Sequence, residues 1–234
     1  MRGSELKKLL LLALVAVALP AGAVEAEELS GGVDLLEIHT GSGDDQFVFD
    51  GELRAGGERH AGLVKLSGGG DVGPHIDEVS AQVLYEINPR EGVSLMAGVR
   101  HDFREGKDLT FGAFGATAEL GEILSLEHFF FVSERGDLTG EAMVLGTVPL
   151  GPALTLEPRG EISWSAQHIV EEELGSGVTD VTLSVRLRRG IGPLVNVYLG
   201  VIHERLLSDT KSIALANGDR GHATRAVIGA GLAF

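Results

Sequence analysis

The chain has 234 residues with a net charge of −15, 34 glycines, 44% hydrophobic and only 5% aromatic residues. That length suits one domain or two small ones, and the absence of cysteine excludes disulfides, thiolate metal centres and a Cys nucleophile. With 34 acidic against 19 basic side chains, no nucleic-acid partner is expected, whereas cationic ligands remain open.

Arg2, Lys7 and Lys8 precede an apolar run from Leu9 to Leu19, followed by Pro20 and the small triplet Ala21-Gly22-Ala23. A basic head, a short apolar middle and a small-residue exit predict a signal peptide over residues 1–23, with Val24-Glu25-Ala26 as a second cut site. Its removal takes away three positive charges (Arg2, Lys7, Lys8) and one negative (Glu5), moving the net charge from −15 to −17. A short periplasmic segment, residues 24–31, is expected next. No later stretch is long and apolar enough for a transmembrane helix.

From residue 32 onward the pattern is period-2 alternation broken by Gly, Pro, Asp and Asn, with no helical apolar spacing over ten or more residues. The expected strands are Gly32 to His39, Gln46 to Arg54, His60 to Leu66, Asp77 to Ile87, Gly92 to Phe103, Leu109 to Glu119, Ile123 to Val132, Leu138 to Val148, Ala153 to Ser165, Val178 to Arg189, Leu194 to Arg205 and Ala223 to Phe234. Every second connection is tight, as in Ala55-Gly56-Gly57-Glu58, Leu120-Gly121-Glu122 and Gly190-Ile191-Gly192-Pro193, while several of the others, notably Ala166 to Gly177 and Leu206 to His222, are long. Alternating short and long links are the rhythm of an up-and-down outer-membrane barrel with both termini in the periplasm. The fold class is therefore all-β, a transmembrane antiparallel up-and-down β-barrel of about 12 strands over residues 32–234.

The faces agree. Glu157, Arg159 and Glu161 alternate with Leu156 and Ile162, and Thr182, Ser184, Arg186 and Arg188 alternate with Val181, Leu183, Val185 and Leu187. The last strand puts Ala226, Ile228, Ala230, Leu232 and terminal Phe234 on one apolar face, a pattern resembling the signal read by outer-membrane assembly machinery. Pro158, inside a strand with no free edge, predicts a bulge. The aromatic girdle is sparse, limited to residues such as Phe103, Phe129, Trp164 and Phe234.

Four stretches carry a family resemblance: Gly98-Val99-Arg100-His101-Asp102-Phe103, Phe131-Val132-Ser133-Glu134-Arg135-Gly136-Asp137, Leu156-Glu157-Pro158-Arg159-Gly160-Glu161, and Gly175-Ser176-Gly177-Val178-Thr179-Asp180 running on to Arg186-Leu187-Arg188. From about residue 30 onward the chain resembles the copper resistance protein B family. The resemblance implies an outer-membrane barrel of a Gram-negative bacterium that acts in copper homeostasis, often beside a periplasmic multicopper oxidase. Many relatives carry a Met- and His-rich segment ahead of the barrel. Here only Met1, Met96 and Met143 occur, so copper handling is expected within the barrel itself.

Strand parity places Met96 inward with Ser94, Arg100 and Asp102, and Met143 inward with Glu141. Glu86, Glu119, Glu127, Glu204, Arg186, Arg188 and Arg225 are also inward by parity. They read either as a compensating charge ladder filling a narrow lumen or as the lining of a pore. With the termini in the periplasm, His39, His75, His101, His168, His203 and His222 fall at outer strand ends or in outer loops, leaving His60 and His128 elsewhere. Imidazole suits copper, so the candidate metal residues are His75, His101, His168, His203, His222, Met96 and Met143. The Gly68-Gly69-Gly70-Asp71 and Gly43-Asp44-Asp45 stretches read as turns, and Glu171-Glu172-Glu173 as a solvated acidic loop. The expected protein is a monomeric, non-enzymatic copper resistance barrel that meets outer-membrane lipid and copper ions. The alternatives are an outer-membrane hydrolase using His101, His203 or Ser176, and a passive pore without metal preference.

Overall fold

A computed structural model of the chain describes residues 28–73, 76–104 and 106–233. The expected signal peptide, His75 and the terminal Phe234 lie outside the described residues.

The strands are β1 (Glu28–Gly41), β2 (Gln46–Gly56), β3 (His60–Asp71), β4 (Glu78–Arg90), β5 (Val93–Arg104), β6 (Leu109–Glu119), β7 (Leu124–Ser133), β8 (Leu138–Gly146), β9 (Val148–Gly151), β10 (Leu154–Ser165), β11 (Gly177–Gly190), β12 (Val195–Leu206) and β13 (His222–Ala233). Apart from β8 and β9, which do not pair with each other, each strand pairs antiparallel with its sequence neighbours, and β13 returns to β1 with Ile38 opposite Ile228, which closes the sheet. Both β8 and β9 pair with β10, so together they form one stave and the barrel has twelve. Closure leaves no unpaired edge, the condition for crossing a bilayer with strands.

Pro158 explains the division between β8 and β9. It has no N–H, and the ladder on that side stops after Arg159 opposite Leu145 and resumes at Leu156 opposite Val148. The expected irregularity is therefore present, on the strand that faces the proline. Gly146 makes room for the ring: a Cβ there would lie 2.9 Å from the Pro158 Cγ.

The outward face is apolar, with Leu95, Val99, Phe114, Leu183, Leu199 and Ile228 all exposed. Exposed aliphatics in continuous rows are a liability in water and the requirement in lipid. Tight turns join the strands at the end that holds both termini, and Gly92 and Gly121 supply the φ of +70° those turns need.

Inside, two clusters pack. Ala61, Leu63, Leu84, Met96, Ala113, Phe129 and Phe131 fill the lumen beneath β3 to β7, and Leu35, Tyr198, Ile202 and Val227 pack beneath β12, β13 and β1. Gly115 admits the first: a Cβ there would lie 2.3 Å from the Phe129 ring. Gly229 does the same for Tyr198, at 2.6 Å.

Several details differ from the expectation. β1 begins at Glu28, β3 runs through the Gly68-Gly69-Gly70-Asp71 stretch that had read as a turn, and β4 runs on to Arg90. A ten-residue helix, α1 (Ser208–Asn217), stands in the β12–β13 loop, where no helix was expected. It lacks an apolar face because its tertiary tie is polar: buried Thr210 accepts a hydrogen bond from the Gly175 N–H at 2.9 Å. Gly218, with φ 93°, ends it.

Candidate functional site: the lumen and its extracellular mouth

A bulge in β1 sets the chemistry at one end of the lumen. The register against β2 slips between Val33 and Leu35, so Asp34 is the extra residue and its carboxylate turns inward. There it accepts from Arg159 (2.8 Å) and Arg188 (3.0 Å), while Arg188 also binds Glu157 at 2.8 Å. One row toward the extracellular side, buried Glu37 accepts from Arg186 through both oxygens, at 2.6 and 3.0 Å, and lies 2.7 Å from His39 Nε2. Gly200 leaves space for the Arg186 stem.

The opposite wall is bridged as well. Lys65 on β3 reaches Glu127 on β7 at 2.8 Å, with its ammonium 5.1 Å above the Phe129 ring. Arg100 binds Asp102 (2.8 Å) and, across the lumen, Glu141 (3.0 Å), with its guanidinium stacked over Phe131. Buried or half-buried charges paired in this way satisfy one another at little net cost.

The space between these pairs is a cavity of about 1070 Å³ that extends from Ser30 and Ala233 at the periplasmic end up to Gly70, Glu78 and Ser163. Seven carboxylates line it (Asp34, Asp50, Glu52, Glu78, Glu127, Glu141 and Glu161) against four cations (Lys65, Arg100, Arg159 and Arg188). Among the described residues, Asp50, Glu52 and Glu78 have no side-chain hydrogen bond or ion pair. The cavity therefore carries excess negative charge and favours cations.

A second cavity of about 240 Å³ lies above the first. The two share Glu78, Arg100, Glu141 and Ser163, so the Arg100–Glu141 pair stands at their junction. The upper chamber is roofed by the β10–β11 loop, where buried Ile169 bridges to Leu174 around a single helical turn, Val170–Glu172. Glu172 ties this roof to the β5–β6 and β7–β8 connections: Arg104 donates to both its oxygens and Arg135 to one at 3.2 Å. The hydrogen bonds from Arg104, reinforced by Arg135, hold the Glu172 carboxyl below its usual pKa. Glu173 accepts from Asn217 of α1 at 2.8 Å. Glu171 and Glu173 are exposed, as a solvated acidic loop requires, but Glu172 departs from that expectation: two arginines hold it as a latch.

Of the sequence candidates, Met143 lines the cavity. It stands directly opposite Glu127 on β7 and Glu161 on β10, with Glu141 two residues away on the same face. Met96 is inward as expected but buried in the apolar cluster, away from the cavity lining. His101 and His203 project outward; each is bonded through Nδ1 to a threonine on the next strand, Thr110 at 2.8 Å and Thr224 at 2.7 Å. His222 is exposed beside His203, ring centroids 6.3 Å apart, and His168 is exposed in the roof loop. The described histidines of the extracellular end therefore share a rim but not a face, and only His203 and His222 come together. Among the described residues no three His, Asp or Glu converge as a chelating set. Ser176, exposed in its loop, makes no hydrogen bond to either His101 or His203 among the described residues. Sequence reading missed Asp34 as a luminal residue, because only the bulge reverses its parity.

The KdgM porin superposes over 88% of this chain and 99% of its own, with a TM-score of 0.52 at 11% identity. The NanC porin does so over 88% and 98%, with a TM-score of 0.55 at 9% identity. These likenesses concern the fold alone. In sequence, the copper resistance protein B of Escherichia coli is 31% identical over 185 residues, covering 77% of this chain and 55% of the relative. A copper resistance protein B homolog of Pseudomonas syringae pathovar tomato is 27% identical over 158 residues, covering 68% and 54%. The chain thus spans about half the length of the curated relatives it matches. The family model described as "Copper resistance protein B precursor (CopB)" matches residues 29–234, the whole of the barrel but for its first residue and the segment ahead of it. With a closed, lipid-faced cylinder and a family match over its full span, the chain belongs to the copper resistance protein B family of outer-membrane proteins.

Proposed function

We propose that this barrel serves copper tolerance by binding copper ions in its lumen and passing them across the outer membrane, without enzymatic chemistry. The observation that carries the reading is the cavity wall, on which seven carboxylates outnumber four cations and Met143 stands between Glu127 and Glu161. Carboxylates attract and loosely hold a divalent cation, while the thioether adds a soft donor that distinguishes copper from calcium or magnesium. No protein residue needs to donate or accept a proton for this. Transfer needs only sites that bind weakly enough to release.

The ion is cargo, the barrel works as a monomer embedded in outer-membrane lipid, and a periplasmic multicopper oxidase is the partner that the family suggests. The signal peptide over residues 1–23 belongs to the same reading, since it would deliver the chain to that compartment.

The test is copper flux into proteoliposomes together with cation-to-anion selectivity in planar bilayers, for the wild type and for Met143→Leu combined with Glu161→Gln. The expected result is copper flux that falls at least severalfold in the double variant, while potassium conductance changes little. Equal flux of copper and magnesium in both proteins would leave a passive pore as the correct description.

A further inference from the structure

We propose that His203 and His222 form a copper(II)-binding site on the outside of the barrel, at its extracellular rim. The two imidazoles stand side by side on β12 and β13, ring centroids 6.3 Å apart and inclined by 38°. A metal held by one nitrogen of each ring at about 2 Å places ring centres roughly 5–6.5 Å apart, for angles from tetrahedral to linear. The pair already stands at that separation with no movement of the backbone.

The inner ring is oriented for the task. Thr224 lies directly opposite His203 in the ladder, and its hydroxyl engages Nδ1 at 2.7 Å, leaving Nε2 as the ring nitrogen free for a ligand. In metal sites the imidazole nitrogen that does not bind the ion is usually tied to an oxygen in this way, which fixes both tautomer and ring angle. His222 is the first residue of β13 and is exposed, so water can complete the coordination shell. Imidazole nitrogen with open positions is a donor set whose affinity among first-row divalent ions peaks at copper. Arg205, directly opposite His222, is the one cation adjacent in the ladder, and it opposes binding of a second positive charge.

This site lies across the wall from the lumen and shares no residue with it. It rests on the proposed function only for the identity of the ion. It would hold copper at the cell surface beside the mouth, outside the path through the barrel.

The experiment titrates the detergent-solubilised full chain with Cu(II) alone and reads binding by electron paramagnetic resonance. The expected wild-type signal has one copper coupled to two nitrogens. His203→Asn and His222→Asn should each abolish the two-nitrogen pattern and weaken that copper at least tenfold. Thr224→Val should weaken it about tenfold through loss of the orienting bond, and Arg205→Gln should tighten it. All four positions face outward or sit at the rim, and the temperature-dependent gel mobility of folded barrels confirms that each variant has closed. Unchanged affinity and an unchanged nitrogen pattern in the His203→Asn, His222→Asn double variant would overturn the proposal. Met143→Leu should leave this signal intact whatever it does to flux, so the rim site and the luminal reading stand or fall separately.

Discussion

Lys65 on β3 and Glu127 on β7 meet across the lumen at 2.8 Å, linking strands that are not neighbours in the sheet. The bond passes over the Phe129 ring and lies where the apolar filling of the lumen gives way to the acidic cavity. Removing the ammonium leaves Glu127 unpaired and raises the negative excess around it. Lys65→Met should therefore increase cation selectivity in planar bilayers while lowering stability by about 1–3 kcal/mol in urea unfolding. Unchanged selectivity would mean that permeating ions do not pass this pair.

The Asp34 carboxylate satisfies Arg159 and Arg188 together. Asp34→Asn would leave both guanidinium groups undercompensated at the periplasmic end of the cavity and reduce its negative excess. Cation-to-anion permeability, read from the reversal potential in a salt gradient, should fall, and the drop should be larger at low ionic strength.

The Glu172 latch should depend on pH with a definite sign. Its carboxyl titrates below its ordinary value because Arg104 and Arg135 favour the charged form, so the latch is complete above the usual carboxylate range and is lost as pH falls through the lowered value. Channel openings at the extracellular side should become more frequent in acid, as pH falls below the ordinary carboxylate range. Glu172→Gln should show the same openings at neutral pH. Hydrogen exchange over residues 167–175 should rise in parallel.

Gly229→Ala tests the packing beneath β13. A methyl group at this position would sit 2.6 Å from the Tyr198 ring, whose hydroxyl oxygen accepts a hydrogen bond from the Leu36 N–H at 3.3 Å. Displacing the ring should cost about 1–3 kcal/mol, measured by unfolding from detergent micelles. Gly121→Ala, in an open turn, gives the contrasting case: it meets no neighbour, and its penalty comes only from its φ of +70°.

Much of this was readable from the sequence. The alternation along β10 and β11 foretold which side chains face lipid, and Glu86, Glu127, Arg186 and Arg225 lie inward as parity required. The short and long connections gave the closed up-and-down order. What stayed hidden depends on single departures from period 2 or on contacts between distant loops. Asp34 turns inward because one residue bulges, and no composition signal marks that residue. α1 is held by Thr210 and Gly175 rather than by an apolar stripe, so no helical period exists to be found. His101, His203 and His222 do reach the outer rim, but parity, not loop position, decides which face they occupy, and it puts all three outside. Glu172 becomes a latch only because two other hairpins bring arginines to it.

The apolar filling beneath β3 to β7 has a further consequence. It occupies one flank of the bore, and the Leu35–Tyr198 cluster packs beneath β12, β13 and β1, so the open passage is eccentric and takes its carboxylates from β1, β2, β4, β7, β8 and β10. An ion on this route meets carboxylates and one thioether to one side and a greasy bank to the other. The usable cross-section is then set by how well Phe129 and Phe131 are seated, rather than by the number of staves in the cylinder.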